Sequence, residues 1–167
     1  MKKLWFLLLI PLIGSWLLFK PHTAPVVPKQ PQVTQEPVEP PETLPEASEL
    51  LVLTNKERVA AGVGELILSQ ALNQSATDKC ADMQARNYWG HDAPDGTTPW
   101  YFIRRYTTYL HAGENLAKDF ATSDGVVKGW MRSTGHRENL LATKYAYVGF
   151  AVCDGVLDNL VVQHFSG

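Results

Sequence analysis

The stretch Tyr147-Val148-Gly149-Phe150-Ala151-Val152-Cys153, followed by Asp154-Gly155-Val156-Leu157-Asp158-Asn159 and then Leu160-Val161-Val162-Gln163-His164-Phe165, decides the class of the fold. Tyr147, Val148, Phe150, Val152 and Cys153 form a β-rich run, and Leu160, Val161, Val162 and Phe165 form a second. Between them Asp154-Gly155 is a hairpin signal, with Asp158-Asn159 as the other candidate for the tip. Everything upstream in the domain reads mainly as helix. Helices followed by a strand pair indicate an α+β domain, with helices packed on a mostly antiparallel sheet.

Working outward, Thr122, Ser123 and Asp124 supply an N-cap and a first-turn acid for a helix running to about Met131. Gly113 to Leu116 reads as extended. Pro99 opens a short helix carrying Trp100, Phe102 and Ile103, and Tyr88 to Thr98 is a loop rich in turn residues. Leu72, Ala76, Cys80 and Met83 recur at helical period, so a helix is expected from after Ser69 to near Asn87. Thr43 and Glu46 have capping-box spacing with Pro45 between them. A first helix should therefore start there and stop near Gly62 or Gly64, carrying Asn55 and Arg58.

The rest of the chain differs in composition. Residues 21–46 hold 8 of the 11 prolines and no glycine or aromatic residue. Such a stretch cannot bury enough apolar surface to offset its ordering entropy. It reads as an extended linker that could reach roughly 80 Å at about 3.1 Å per residue. In residues 1–20, Lys2 and Lys3 precede an uncharged run from Leu4 to Phe19 that Lys20 closes. This is an export signal, kept as an anchor or cleaved as a signal peptide. Thr23-Ala24-Pro25 is a poor cleavage site, which favours an anchor with the lysines inside and the domain outside. The expected location is thus the cell membrane, single-pass, or the medium if the segment is cleaved. The expected organisation is 1–20 anchor or signal, 21–46 Pro-rich linker and 47–167 folded domain. With 15 Lys and Arg against 17 Asp and Glu, the net charge of -2 argues against nucleic acid as a partner.

Cys80 sits on the stripe of the second helix and Cys153 at a strand end. In an exported domain an even pair favours a disulfide, the alternative being two buried free thiols. Of the five histidines, His22 lies in the linker, and His111 and His164 have no strong context. His91 and His136 stand in polar, Gly-bearing segments between elements, and Glu114 lies between them in sequence. Two imidazoles and a carboxylate suit zinc or another divalent cation with an open water position. Nothing local forces them together, and two surface histidines with an exposed glutamate is the plainer reading.

Five motifs add to this. Asn55-Lys56-Glu57-Arg58, Tyr88-Trp89-Gly90-His91, Ala112-Gly113-Glu114-Asn115-Leu116-Ala117, Trp130-Met131-Arg132-Ser133-Thr134-Gly135-His136-Arg137-Glu138-Asn139-Leu140-Leu141 and Val148-Gly149-Phe150 occur in this order. Together they resemble the CAP superfamily, also called the SCP or cysteine-rich secretory, antigen 5 and pathogenesis-related-1 family, in its bacterial extracellular form. The resemblance implies a three-layer α-β-α sandwich with a central cleft. It also implies a cleft tetrad of two histidines and two acids that in some members binds zinc or another divalent cation. By match, His91 and His136 are the histidines and Glu114 is the first acid. The second acid belongs where Ser133 stands, so the tetrad is incomplete. A hydroxyl is a much weaker metal ligand than a carboxylate, so a weak site is expected. Asn55 and Arg58 should hydrogen-bond loop backbone, Trp130 should be core, and Asn139 should cap a neighbouring turn.

Function follows as an expectation in two forms. The first is a membrane-tethered extracellular binding module presenting a His/Glu cleft to a lipid, peptide or envelope component. The alternative is a metal-assisted, peptidase-like hydrolase acting on envelope or peptide substrates, with Glu114 as general base.

Overall fold

The computed structural model describes residues 45–167, and the expected membrane segment and most of the Pro-rich linker lie outside these residues. Among the described residues no helix is long and apolar enough to cross a membrane. The elements are α1 (Ala47–Ala60), β1 (Ile67–Leu68), α2 (Gln70–Arg86), α3 (Pro99–Arg104), β2 (Ala112–Lys118), α4 (Ser123–Arg132), α5 (Thr134–Leu141), β3 (Tyr147–Cys153) and β4 (Leu160–Ser166). The four strands form one sheet in the order β1-β3-β4-β2. β3 and β2 flank β4 in antiparallel pairing, while the short β1 runs parallel to β3. The sheet is thus mixed, and β1 is a strand that the sequence reading did not anticipate.

Strand alternation sorts the core into two parts. Val148, Phe150, Val161 and Phe165 pack with Leu50 of α1, Val126, Val127 and Trp130 of α4 and Leu140 of α5. On the other face Ala151, Leu160, Val162 and Leu116 pack with Ala76, Cys80 and Met83 of α2. Helices therefore cover both faces of the sheet. The helical stripe inferred for α2 is the surface it buries.

Local signals explain several boundaries. The Ser69 hydroxyl accepts from Leu72 N–H at the start of α2, and Asn87 ends it in the left-handed region at φ 51°. The Thr122 hydroxyl accepts from Gly125 N–H at the start of α4. α1 starts and stops close to where it was expected, and Thr43 of the expected capping box lies outside the described residues. Its N-cap is Glu46, which makes no side-chain cap. The Glu46 N–H instead donates to Ser123 Oγ of α4 at 3.0 Å, so this helix start is held by tertiary contact.

Both candidate hairpin tips fall inside the connection 154–159. Gln84 of α2 organises it, its amide donating to the Asp158 carbonyl (2.9 Å) and accepting from Leu157 N–H (2.8 Å). Cys80 and Cys153 form a disulfide that ties α2 to the end of β3 beside this loop. In the chain-entropy account, closing a loop with a sequence separation of 73 stabilises the fold by about 4 kcal/mol.

One glycine sets how close α2 comes to the sheet. A Cβ on Gly149 would stand 2.2 Å from the Leu72 carbonyl carbon and 2.3 Å from Asn73 N. Only a bare strand position admits this approach. Asn73 Oδ1 accepts from Phe150 N–H at 2.9 Å and locks the contact.

Candidate functional site

The site is built on β2 and β4. Glu114 and His164 are register partners, as are Asn115 and Gln163 one residue along. Pleating sends the first pair toward α2 and the second toward the opposite helices. Toward α2, His164 Nε2 lies 2.9 Å from Glu114 Oε2, and Ser75 Oγ lies 2.7 Å from His164 Nδ1. The other carboxylate oxygen, Oε1, is 2.6 Å from His91 Nδ1. The Glu114 side chain is 1% exposed, whereas that of His91 is 55% exposed. A buried carboxylate thus stands behind a half-open imidazole.

Toward the other face, Asn115 Nδ2 donates to Gln163 Oε1 (3.0 Å) and to the His136 carbonyl (3.1 Å). Asn139 Nδ2 donates to the Glu114 carbonyl and to Asn115 Oδ1, both at 3.1 Å. Asn139 was expected to cap a turn. Instead it ties α5 to the backbone of β2 at the residue that carries the site.

The loop that holds His91 is fastened from α2. Lys79 is fully buried. Its ammonium donates to Tyr88 Oη (3.0 Å), to the Gly90 carbonyl (2.9 Å) and to the His91 carbonyl. All three ammonium hydrogens are used. Tyr88 Oη in turn donates to Asp82 Oδ2 at 2.6 Å.

The electrostatics follow from this arrangement. Burial pushes the Glu114 carboxyl up, but the hydrogen bonds from His164 and His91 outweigh it, and the Lys79 charge helps, so its pKa falls below the ordinary value. The hydrogen bond to Glu114 raises His91 above the usual imidazole value. Burial, and then the charge of His91, lower His136. Burial lowers Lys79 against the pull of Glu114, Asp82 and Asp92.

The structure therefore brings His91 and Glu114 into direct contact and sets His136 close enough to His91 to feel its charge. His136 was placed between elements. It lies inside α5, a short helix with no apolar periodicity that starts one residue after α4 ends. Ser133 is the corner between the two, and its hydroxyl does not cap α5. His164, Ser75 and Lys79 were missed. The available signal was polar residues at core positions: His164 shares strand parity with Leu160 and Val162, and Ser75 and Lys79 interrupt the apolar stripe of α2.

Beside His91 opens a cavity of about 370 Å³, lined among others by Trp100, Glu114, Asn139, Lys144 and Tyr145. Among the described residues no group of three or more His, Cys, Asp and Glu is arranged to hold a metal ion. Both Glu114 oxygens accept hydrogen bonds from imidazoles.

Of the remaining expectations, Arg58 donates to the carbonyls of Gly64 and Leu140, each at 2.7 Å, and of Ala142 at 3.0 Å. Asn55 exchanges two hydrogen bonds with the Leu66 backbone. Trp130 is buried in the core, and its indole donates to the Leu116 carbonyl at 3.0 Å.

Comparison with known proteins agrees with this architecture. A Bacillus subtilis protein, YkwD, itself uncharacterised, is 35% identical over 116 residues, 69% of this chain and 44% of that protein. A Bacillus subtilis membrane protein, YlbC, also uncharacterised, is 31% identical over 105 residues, 62% of this chain and 30% of its own length. The chain thus spans less than half the length of these two relatives. Among solved structures, an extracellular Bacillus anthracis protein containing an SCP domain superposes with a TM-score of 0.65 at 30% identity, covering 72% of this chain and 39% of that one. An outer surface protein of Borrelia burgdorferi shares the fold, with a TM-score of 0.66 at 21% identity over 71% of this chain and 90% of its own. The model of the CAP, cysteine-rich secretory protein, family matches residues 51–165, and the chain belongs to that family.

Proposed function

We propose that this chain is a membrane-attached extracellular CAP-domain protein whose His91 cleft binds a ligand from the cell envelope, a peptide or a lipid. The single observation that carries the reading is the pairing of a half-exposed His91 with a buried Glu114 at the mouth of a preformed cavity. Cavities with a few fixed polar groups and a residue of shifted pKa are where small ligands bind. The attachment rests on the apolar run after Lys2 and Lys3. It is supported by relatives described as extracellular and as a membrane protein.

The same arrangement favours binding over metal-assisted hydrolysis. A general base must be free to take a proton from water. Glu114 is buried, with both oxygens engaged. A divalent cation would have two imidazole donors, fewer than the three protein ligands of a catalytic zinc centre, so its binding is weak. Glu114 would then act behind His91 as the partner that orients it.

Calorimetric titration of zinc at pH 7.5 and 5.5, with His91→Ala and His136→Ala, tests the cation. Weak binding at pH 7.5 that both variants and the lower pH abolish is expected. Unchanged binding in both variants would place the cation elsewhere. For the organic ligand, soluble cell-wall fragments, short peptides and phospholipid vesicles are titrated while the NMR signals of His91 and Trp100 are followed. A probe that moves these signals, and ceases to bind in His91→Ala, supports the reading. No shift with any of the three overturns it. Fractionation and N-terminal sequencing test the attachment, and a soluble form beginning near Thr23 would replace the anchor with a cleaved signal.

A further inference from the structure

Behind the cleft, two polar side chains outside the family tetrad extend the His91–Glu114 pair into a row. Ser75 on α2 and His164 on β4 are both fully buried. From Ser75 Oγ to His164 Nδ1 is 2.7 Å, from His164 Nε2 to Glu114 Oε2 is 2.9 Å, and from Glu114 Oε1 to His91 Nδ1 is 2.6 Å. The row exists because Gly149, the strand partner of His164, lets α2 lie against the sheet. Ser75, one turn along from Leu72, then reaches the imidazole.

The direction of each hydrogen bond can be assigned. An ionised carboxylate only accepts, so His164 Nε2 and His91 Nδ1 both carry hydrogens. In the neutral His164 ring, Nδ1 accepts from the Ser75 hydroxyl, so both ring nitrogens of His164 are satisfied. With its proton on Nδ1, the half-exposed His91 leaves Nε2 without a hydrogen. Lys79 holds the backbone of the same residue independently, through the His91 and Gly90 carbonyls.

We propose that His164, backed by Ser75, is a positioning residue for the cleft. By donating to Glu114 Oε2 it fixes the carboxylate, and through it the Nδ1–H tautomer of His91, so that the cleft offers its ligand a bare imidazole nitrogen. The matching ligand group is a hydrogen-bond donor, a hydroxyl or an amide N–H. Without His164 the carboxylate loses one of two donors, is free to turn, and no longer dictates which nitrogen of His91 is protonated. The inference rests on the reading of the His91 cleft as the binding site.

The test is the nitrogen NMR spectrum of the imidazoles, recorded on the 167-residue chain at pH 8.5 without any ligand. The expected wild-type signal for His91 has the proton on Nδ1. His164→Leu is expected to lose most of that population to the Nε2–H form. His164→Gln, whose amide can donate to Glu114, restores it, and Ser75→Ala loses part of it. A purely structural role for His164 would lower the melting temperature and leave the tautomer unchanged. A wild-type His91 protonated on Nε2, or one that keeps Nδ1–H in both His164→Leu and Ser75→Ala, overturns the proposal. If His164→Leu does not fold, the wild type and Ser75→Ala decide by the same criteria. Because no ligand is present, this result and the ligand titrations above can fail separately.

Discussion

Glu114 and His164 face each other across the β2–β4 pair and are joined by a 2.9 Å hydrogen bond, with the Glu114 side chain 1% exposed and that of His164 fully buried. Burying a carboxylate costs several kcal/mol unless its oxygens are satisfied. Here both are, by imidazoles from an interior strand and a surface loop. The site is therefore a structural join between the sheet and the loop at 88–98 as well as a chemical one.

The pairing implies a stability window in pH. The Glu114 pKa lies below its ordinary value of 4.5, so the stabilisation it carries is present above that pH and is lost as pH falls through the folded value. The His91 pKa lies above 6.5, so its contribution is complete below that pH and is lost as pH rises through the folded value. The pair should contribute most between about pH 4.5 and 6.5. Melting temperatures of wild type and Glu114→Gln from pH 3 to 9 should differ most in that window, converge below it, and keep part of the difference above it, where Glu114 still accepts from His164 and His91.

Gly149→Ala should be strongly destabilising. Its Cβ would meet the α2 backbone at Leu72 and Asn73, which cannot yield as a flexible side chain would. A cost of about 3 kcal/mol is expected, at the upper end for overpacking. Urea unfolding measures it. The Ser75–His164 contact should loosen in the same variant, seen as a shifted His164 imidazole signal.

Arg58→Met should destabilise by about 3 kcal/mol, because it strands carbonyls that now accept from a guanidinium. These belong to Gly64, Leu140 and Ala142, so α5 and the segment before β1 both lose their tie to α1. Arg58→Lys should recover only part, since an ammonium lacks the planar fork that reaches all three. Chemical denaturation of the two variants checks the order.

Reducing the Cys80–Cys153 bond should lower stability by about 4 kcal/mol. Denaturation with and without a reductant measures this, and thiol titration of the unfolded, unreduced protein should find no free thiol. Hydrogen exchange should rise first in the connection 154–159, which otherwise relies on Gln84.

Much of this protein is determined by sequence over short range. The stripe Leu72-Ala76-Cys80-Met83, the caps at Ser69 and Thr122, and the β-rich runs at 147 and 160 define their elements because each signal operates within one or two turns or along a single strand. The family motifs likewise singled out His91 and Glu114, which the structure joins. The tertiary structure alone decided the rest. α5 carries no apolar periodicity of its own and is held by Arg58 reaching across to its Leu140 carbonyl and by its own Asn139 reaching out to β2. His164 became part of the site because the strand order places β4 beside β2, in the register that sets it opposite Glu114. That register depends on side chains that are distant in sequence packing on both faces at once. A slip by one residue would turn His164 and Glu114 to the other face, so their meeting is a property of the folded sheet rather than of either strand.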